Sequence, residues 1–107
     1  RLCSSAASDV YKRQIFGPVL SIIKYDNEDE AVEMANDTEY GLAGYVQGEP
    51  EHAKDVARKI RAGQIIINGG ARGTGAPFGG YKSSGNGREH GVHGLEECLE
   101  TKAIIAP

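Results

Sequence analysis

From Val19 onward, apolar residues fall into short continuous runs and staggered sets, separated by turn-forming residues. Val19-Leu20-Ser21-Ile22-Ile23-Lys24-Tyr25 is β-branched and mostly apolar, the pattern of a strand covered on both faces. Pro18 marks its start and Asp26-Asn27 its end. Asn27, with Glu30 three residues on, makes a capping box for a helix whose acidic first turn, Glu28 to Glu30, complements the helix dipole. Ala31, Val32, Met34 and Ala35 supply the apolar side of that helix. Asn36-Asp37-Thr38 and Gly41 end it, and Leu42 to Gln47 reads as a second strand, slightly weakened at Gly44. Pro50 suits the first turn of the next helix, in which Ala53, Val56, Ala57 and Ile60 stand at i, i+3, i+4 and i+7. Arg58, Lys59 and Arg61 load its last turn with cations, and Gly63 fits the C′ position. Gln64 to Asn68 is a third strand, continuous in isoleucine and expected to be central. Glu89 opens a last helix with Val92, Leu95 and Leu99 inward, and Lys102 to Ala106 is a final strand. Strands alternating with helices predict an α/β fold built on a parallel, right-handed β-α-β-α-β unit.

One stretch follows neither period. Ala76 to Glu89, APFGGYKSSGNGRE, joins the third strand to the last helix through four glycines and a proline. Gly79-Gly80 and Gly85-Asn86-Gly87 permit positive φ and close backbone approach, while Pro77 pushes Ala76 towards an extended conformation. Such a loop can place Phe78 at a cleft, and the same composition also suits a crossover that merely turns. Neither Gly73-Thr74-Gly75 nor Gly85-Asn86-Gly87 completes a dinucleotide fingerprint. The third glycine of G-x-G-x-x-G would fall at Phe78 or His90, and no G-x-x-x-x-G-K-[ST] is present.

With 107 residues there is room for one domain with a thin core. A net charge of −3, with both signs interspersed, argues against nucleic acid or an anionic membrane as partner. No run approaches the roughly 18 apolar residues of a membrane span, and no hydrophobic signal core opens the chain, which makes a cytoplasmic location the default. Ser4 to Gln14, SSAASDVYKRQ, resembles one reading frame of a common sequencing adapter. Residues 1–14 are therefore read as a non-native, disordered leader, and 15–107 as the protein proper. Cys98 is then the only native cysteine, late in a helical pattern without a paired His, and reads as a partly buried structural thiol. His90 and His93, three apart on one helical face with no carboxylate or thiolate at ligand spacing, read as solvated histidines.

PFGGYKSSGNGRE closely resembles the C-terminal signature of the NAD(P)-dependent aldehyde dehydrogenase superfamily. Ile15-Phe16-Gly17-Pro18-Val19 resembles a second block of that family at about the expected separation, and the likeness extends from Ile15 to Ile105. The resemblance implies part of the catalytic domain followed by a terminal helix and an oligomerisation strand. It implies oxidation of an aldehyde to a carboxylic acid through a cysteine thioester, with NAD or NADP bound mainly by a domain absent here, in a homodimeric or homotetrameric parent. The nucleophilic cysteine, the base glutamate and the oxyanion-hole asparagine of the family lie upstream of the matched segment, so no catalytic residue is assigned within it.

By the same resemblance Gln14 stands where the family has a glutamate on the nicotinamide ribose, and Phe16 where an aromatic packs near the nicotinamide ring. Phe78 matches an aromatic lining the aldehyde tunnel. Arg72 is the only charge in Gly69 to Ala76, where the family varies its substrate specificity, and is a candidate anchor for an acidic or polar aldehyde. Arg88 and Glu100 match a pair that ties the subunit contact; both on one helix would be about 18 Å apart, too far to meet within a chain. The competing reading is a free-standing α/β binding or interaction module without catalysis.

Overall fold

The computed structural model describes Gly17, Pro18 and residues 20–107. The proposed leader, and the candidate residues Gln14 and Phe16, lie outside the described residues. Helix α1 spans Glu28–Asn36, strand β1 Ala43–Val46, helix α2 Pro50–Lys59 and strand β2 Gln64–Ile67. A single turn of 3-10 helix, Lys82–Ser84, and a short helix α3, Gly91–Glu96, complete the order. β1 and β2 pair in parallel, Ala43 opposite Gln64 and Val46 opposite Ile67, with α2 as the crossover between them. The expected α/β class is therefore present as one parallel β-α-β unit.

Local chemistry explains these elements. The Asn27 side chain caps α1 by accepting the Glu30 N–H at 3.0 Å. Glu30 reaches back one residue further than a capping box does, accepting the Asp26 N–H at 2.8 Å. Pro50 stands at the first turn of α2, and the Glu49 carboxylate accepts the His52 N–H at 2.8 Å. Ala53, the first member of the apolar stripe of α2, is 1% exposed and is the one buried hydrophobic residue among the described residues.

Several expectations are corrected. Residues 20–25 form no strand, and Leu20 and Ile22 are 83% and 85% exposed. β-branched composition favours an extended backbone, but a strand needs a neighbour, and none lies alongside among the described residues. For the same reason Lys102 to Ala106 stays unpaired, and β2 is half of a two-stranded sheet rather than its centre. The last helix starts at Gly91, since Glu89 is held in an antiparallel bridge with Phe78, and Val92, Leu95 and Leu99 face solvent. Gly63 is not a C′ residue, because α2 is capped at Ile60 with extended geometry.

Gly63 instead allows close packing. A Cβ there would collide with the Gly79 carbonyl, and the Gly63 N–H donates to the Gly41 carbonyl at 3.0 Å. The same Gly41 carbonyl accepts the Tyr81 N–H at 2.8 Å, and the Gly41 N–H donates to Ser84 Oγ at 3.0 Å. Three glycines thus let the loop after Phe78 lie directly on the strand ends. Lys82 fixes it further, its Nζ donating to the carbonyls of Asn36 and Thr38 just past the end of α1.

Candidate functional site

Parallel strands leave their C-terminal ends side by side, and here both ends lead into loops. Asn68, directly after β2, has φ +50° and Gly69 has φ +69°. Asparagine and glycine tolerate this left-handed region better than other residues, and together they turn the chain sharply away from the strand. The Asn68 side chain is also bidentate. Its Oδ1 accepts the Gly48 N–H and its Nδ2 donates to the Gly48 carbonyl, both at 2.9 Å, while its own N–H donates to the Val46 carbonyl at 2.9 Å.

The loop so launched carries Arg72 to Phe78. The Arg72 guanidinium lies 4.7 Å from the centroid of the Phe78 ring, a cation–π stack, and donates to no hydrogen bond and joins no ion pair among the described residues. The His90 ring also sits near it, 6.4 Å from the Phe78 centroid and tilted by 49°. Phe78 is locked by its backbone: its N–H donates to the Glu89 carbonyl at 2.8 Å and its carbonyl accepts the Glu89 N–H at 2.6 Å. Gly91, at φ +62°, lets the start of α3 approach Gly75, where a Cβ would strike the Gly75 carbonyl.

Behind Phe78, Arg88 organises the second half of the loop. Its Nη1 donates to the carbonyls of Gly80, Asn86 and Gly87, and its guanidinium lies 5.4 Å from the Tyr81 ring centroid. A cavity of about 330 Å³ opens between Leu42, Phe78, Gly80, Arg88, Glu89 and Glu97. Neither Arg88 nor Glu100 lies on α3, so the single-helix separation expected between them does not apply.

A second groove, of about 380 Å³, runs between α1, α2 and the end of β1. Glu28 sits at its edge, ion-paired to Lys59 Nζ at 2.9 Å, with His52 Nε2 2.5 Å from its other carboxylate oxygen. The hydrogen bond from Lys59, helped by His52, holds the Glu28 carboxyl below its ordinary value, and the same bond raises Lys59. The backbone N–H groups of His52 and Glu51 likewise lower Glu49. These pairs join α1 to α2 and close the N-terminus of α2. None of them faces Phe78.

Of the residues expected at a site, Phe78 and Arg72 come together and Gln14 and Phe16 lie outside the described residues. Two members were missed. His90 is the N-cap of α3, with φ +65°, rather than a position on a helical face shared with His93. Asn68 read only as a strand end, although Asn followed by Gly-Gly after an apolar run is a turn signal. Cys98 is exposed rather than partly buried.

This arrangement, a parallel β-α-β unit whose strand ends carry an aromatic wall, is part of an α/β enzyme-type domain. The chain belongs to the aldehyde dehydrogenase family, whose profile matches residues 4–104; that span begins within the stretch read as a leader. It is 53% identical over 97 residues to the 3-succinoylsemialdehyde-pyridine dehydrogenase of a Pseudomonas species, covering 90% of this chain and 20% of that protein. Among solved structures, aldehyde dehydrogenase C of Pseudomonas syringae superposes with a TM-score of 0.85 at 60% identity, covering 89% of this chain and 20% of that one. That structure is a cysteine-to-alanine variant complexed with NAD+ and octanal. A Mycobacterium tuberculosis aldehyde dehydrogenase complexed with NAD+ gives a TM-score of 0.85 at 44% identity, covering 92% of this chain and 20% of that one. The chain thus spans about a fifth of the length of these relatives.

Phe78 is half-buried, with Arg72 and His90 against its ring. α3 is six residues long and its N-cap makes no side-chain hydrogen bond, so it offers no helix N-terminus of the kind that holds a dinucleotide's phosphates. No helix among the described residues is long and apolar enough to cross a membrane.

Proposed function

We propose that this chain is the C-terminal part of an NAD(P)-dependent aldehyde dehydrogenase that oxidises an aldehyde to a carboxylic acid through a cysteine thioester. The observation that carries this reading is the match across 4–104 together with the superposition on an enzyme holding NAD+ and octanal. In this reading Phe78 and Arg72 form part of the aldehyde wall, and Gln14 and Phe16 face the nicotinamide ribose and ring. The last segment contributes to a subunit contact in a cytoplasmic homodimer or homotetramer.

The nucleophile, the base and the oxyanion donor come from outside this segment. The nicotinamide, when bound, accepts the hydride that leaves the carbonyl carbon, and water supplies the second carboxylate oxygen. This chain's own residues exclude water from, and shape, the channel in which that happens. Phe78 does so through a backbone that is hydrogen-bonded in both directions to Glu89. Contacts of this kind bind ground state and transition state alike, and do not by themselves turn over substrate.

The test is to measure NAD(P)H production from a panel of aldehydes with the chain alone, and with residues 15–107 grafted in place of the matching fifth of the Pseudomonas syringae enzyme. No turnover by the chain and aldehyde-dependent turnover by the graft, abolished by replacing the graft's nucleophilic cysteine, is the expected result. Turnover by the chain alone, or a folded but inactive graft, overturns the proposal.

A further inference from the structure

We propose that Asn68 is the positioning residue of the aldehyde wall: its side-chain clamp on Gly48 sets where the Gly69 to Ala76 loop leaves the sheet, and so where Arg72 meets Phe78. The proposal rests on reading that wall as substrate-facing. Three observations converge on it. The clamp is bidentate, so it fixes orientation as well as distance, which a single hydrogen bond would leave free to swing. The backbone at Asn68 and Gly69 is left-handed at both residues, a conformation most side chains resist, so the exit direction is set at this point and not further along. The loop's far end is fixed independently, by the Phe78–Glu89 bridge and by the close approach of Gly75 to Gly91.

A loop held at both ends has little freedom between them. Within it the Gly70 N–H donates back to the Ile67 carbonyl at 2.9 Å and the Ala76 N–H to the Gly73 carbonyl at 3.0 Å. Arg72, exposed and otherwise without protein partners among the described residues, is therefore held on Phe78 by the path of its backbone. Releasing the near end lets the stack open while the sheet, whose ladder runs from Ala43 to Val46, stays paired.

Asparagine meets two separate demands here, and substitutions divide them. Asn68→Gly keeps the left-handed backbone and removes both side-chain bonds. Asn68→Asp keeps the acceptor for the Gly48 N–H but sets a carboxylate oxygen against the Gly48 carbonyl. In the active graft, Asn68→Gly is expected to lower kcat/KM for aldehyde about tenfold to a hundredfold, the scale of a wall displaced by an ångström. The loss should fall on the aldehyde KM while the KM for NAD+ stays within twofold, with Asn68→Asp intermediate. In the 107-residue chain, the Arg72 side-chain proton resonances, shifted by the Phe78 ring, should return towards random-coil values in Asn68→Gly.

A purely structural role would lower the melting temperature and leave the aldehyde KM unchanged well below it, and that outcome overturns the proposal. So does an unchanged ring-current shift at Arg72. An inactive unaltered graft counts against the proposed function, while the ring-current measurement, which needs no turnover, still decides whether Asn68 positions the wall.

Discussion

Gly41 is the position at which a single added methyl group should do the most diagnostic damage. A Cβ built on it would lie 2.6 Å from the Arg61 carbonyl oxygen and 3.1 Å from Tyr81 Cβ, where real Cβ contacts essentially never fall below 3.0 Å. Backbone must therefore move by at least about 0.4 Å, and it is the backbone that three hydrogen bonds converge on: Gly63 N–H and Tyr81 N–H donating to the Gly41 carbonyl, and Gly41 N–H donating to Ser84 Oγ. Overpacking of this kind costs about 1–3 kcal/mol. Weakening one buried hydrogen bond adds roughly 1 kcal/mol. Gly41→Ala should thus destabilise the chain by about 2–4 kcal/mol. Gly73→Ala is the control: nothing lies within 4 Å of its added Cβ and its φ is not in the positive range, so it should be neutral or stabilising by up to about 1 kcal/mol through the unfolded state. Urea titrations followed by circular dichroism compare the two. Equal midpoints would show that the loop after Phe78 does not rest on Gly41 as described.

Glu28 links the two helices, and its carboxyl is lowered in the folded chain, so its contribution is complete above the ordinary value of 4.5 and is lost as pH falls through the folded value. Lys59, raised by the same bond, contributes fully below 10.5 and loses that contribution as pH rises through its folded value. Glu28→Gln should therefore flatten the melting-temperature profile at both ends, and parallel profiles for the two proteins would contradict the pairing. Deleting residues 1–14 should leave the melting temperature within experimental error, whereas a cooperative loss of folding would show that those residues belong to the domain.

What could be read from the sequence was what short-range chemistry decides. Asn27 and Pro50 fixed helix starts because a helix start is decided by residues within a turn of it, and Ala53, Val56 and Ile60 marked the inward face of α2 because its period is local. The parallel pairing of β1 with β2 followed from the helix between them. Other readings failed where the deciding partner is distant in sequence. Gly41 and Gly63 looked like helix terminators, yet their reason is the approach of the Gly79 to Tyr81 backbone. Residues 20–25 and 102–106 have strand composition without a strand beside them. Phe78 and Arg72 were candidates through family resemblance, but their stacking depends on the turn at Asn68 and the bridge to Glu89, which no pattern of apolar residues encodes.

A division of labour in the molecule follows from which groups find partners. Arg72 apart, the polar groups that hold the loop are satisfied within the described residues: Asn68 by Gly48, Lys82 by Asn36 and Thr38, Arg88 by Gly80 and Gly87. The apolar groups are not: Leu20, Ile22, Tyr45, Val92, Leu95, Ile104 and Ile105 are each at least 60% exposed. Hydrogen bonds give direction but add little net stability, about 1 kcal/mol each, whereas burial gives stability without direction. The geometry of the wall is thus written into the loop itself, and covering those apolar faces adds stability to it. On the proposed reading the remaining four fifths of the enzyme supplies that cover. Substitutions at Asn68 should then alter how the wall binds, while substitutions at Leu95 or Ile105 should alter whether the segment stays docked.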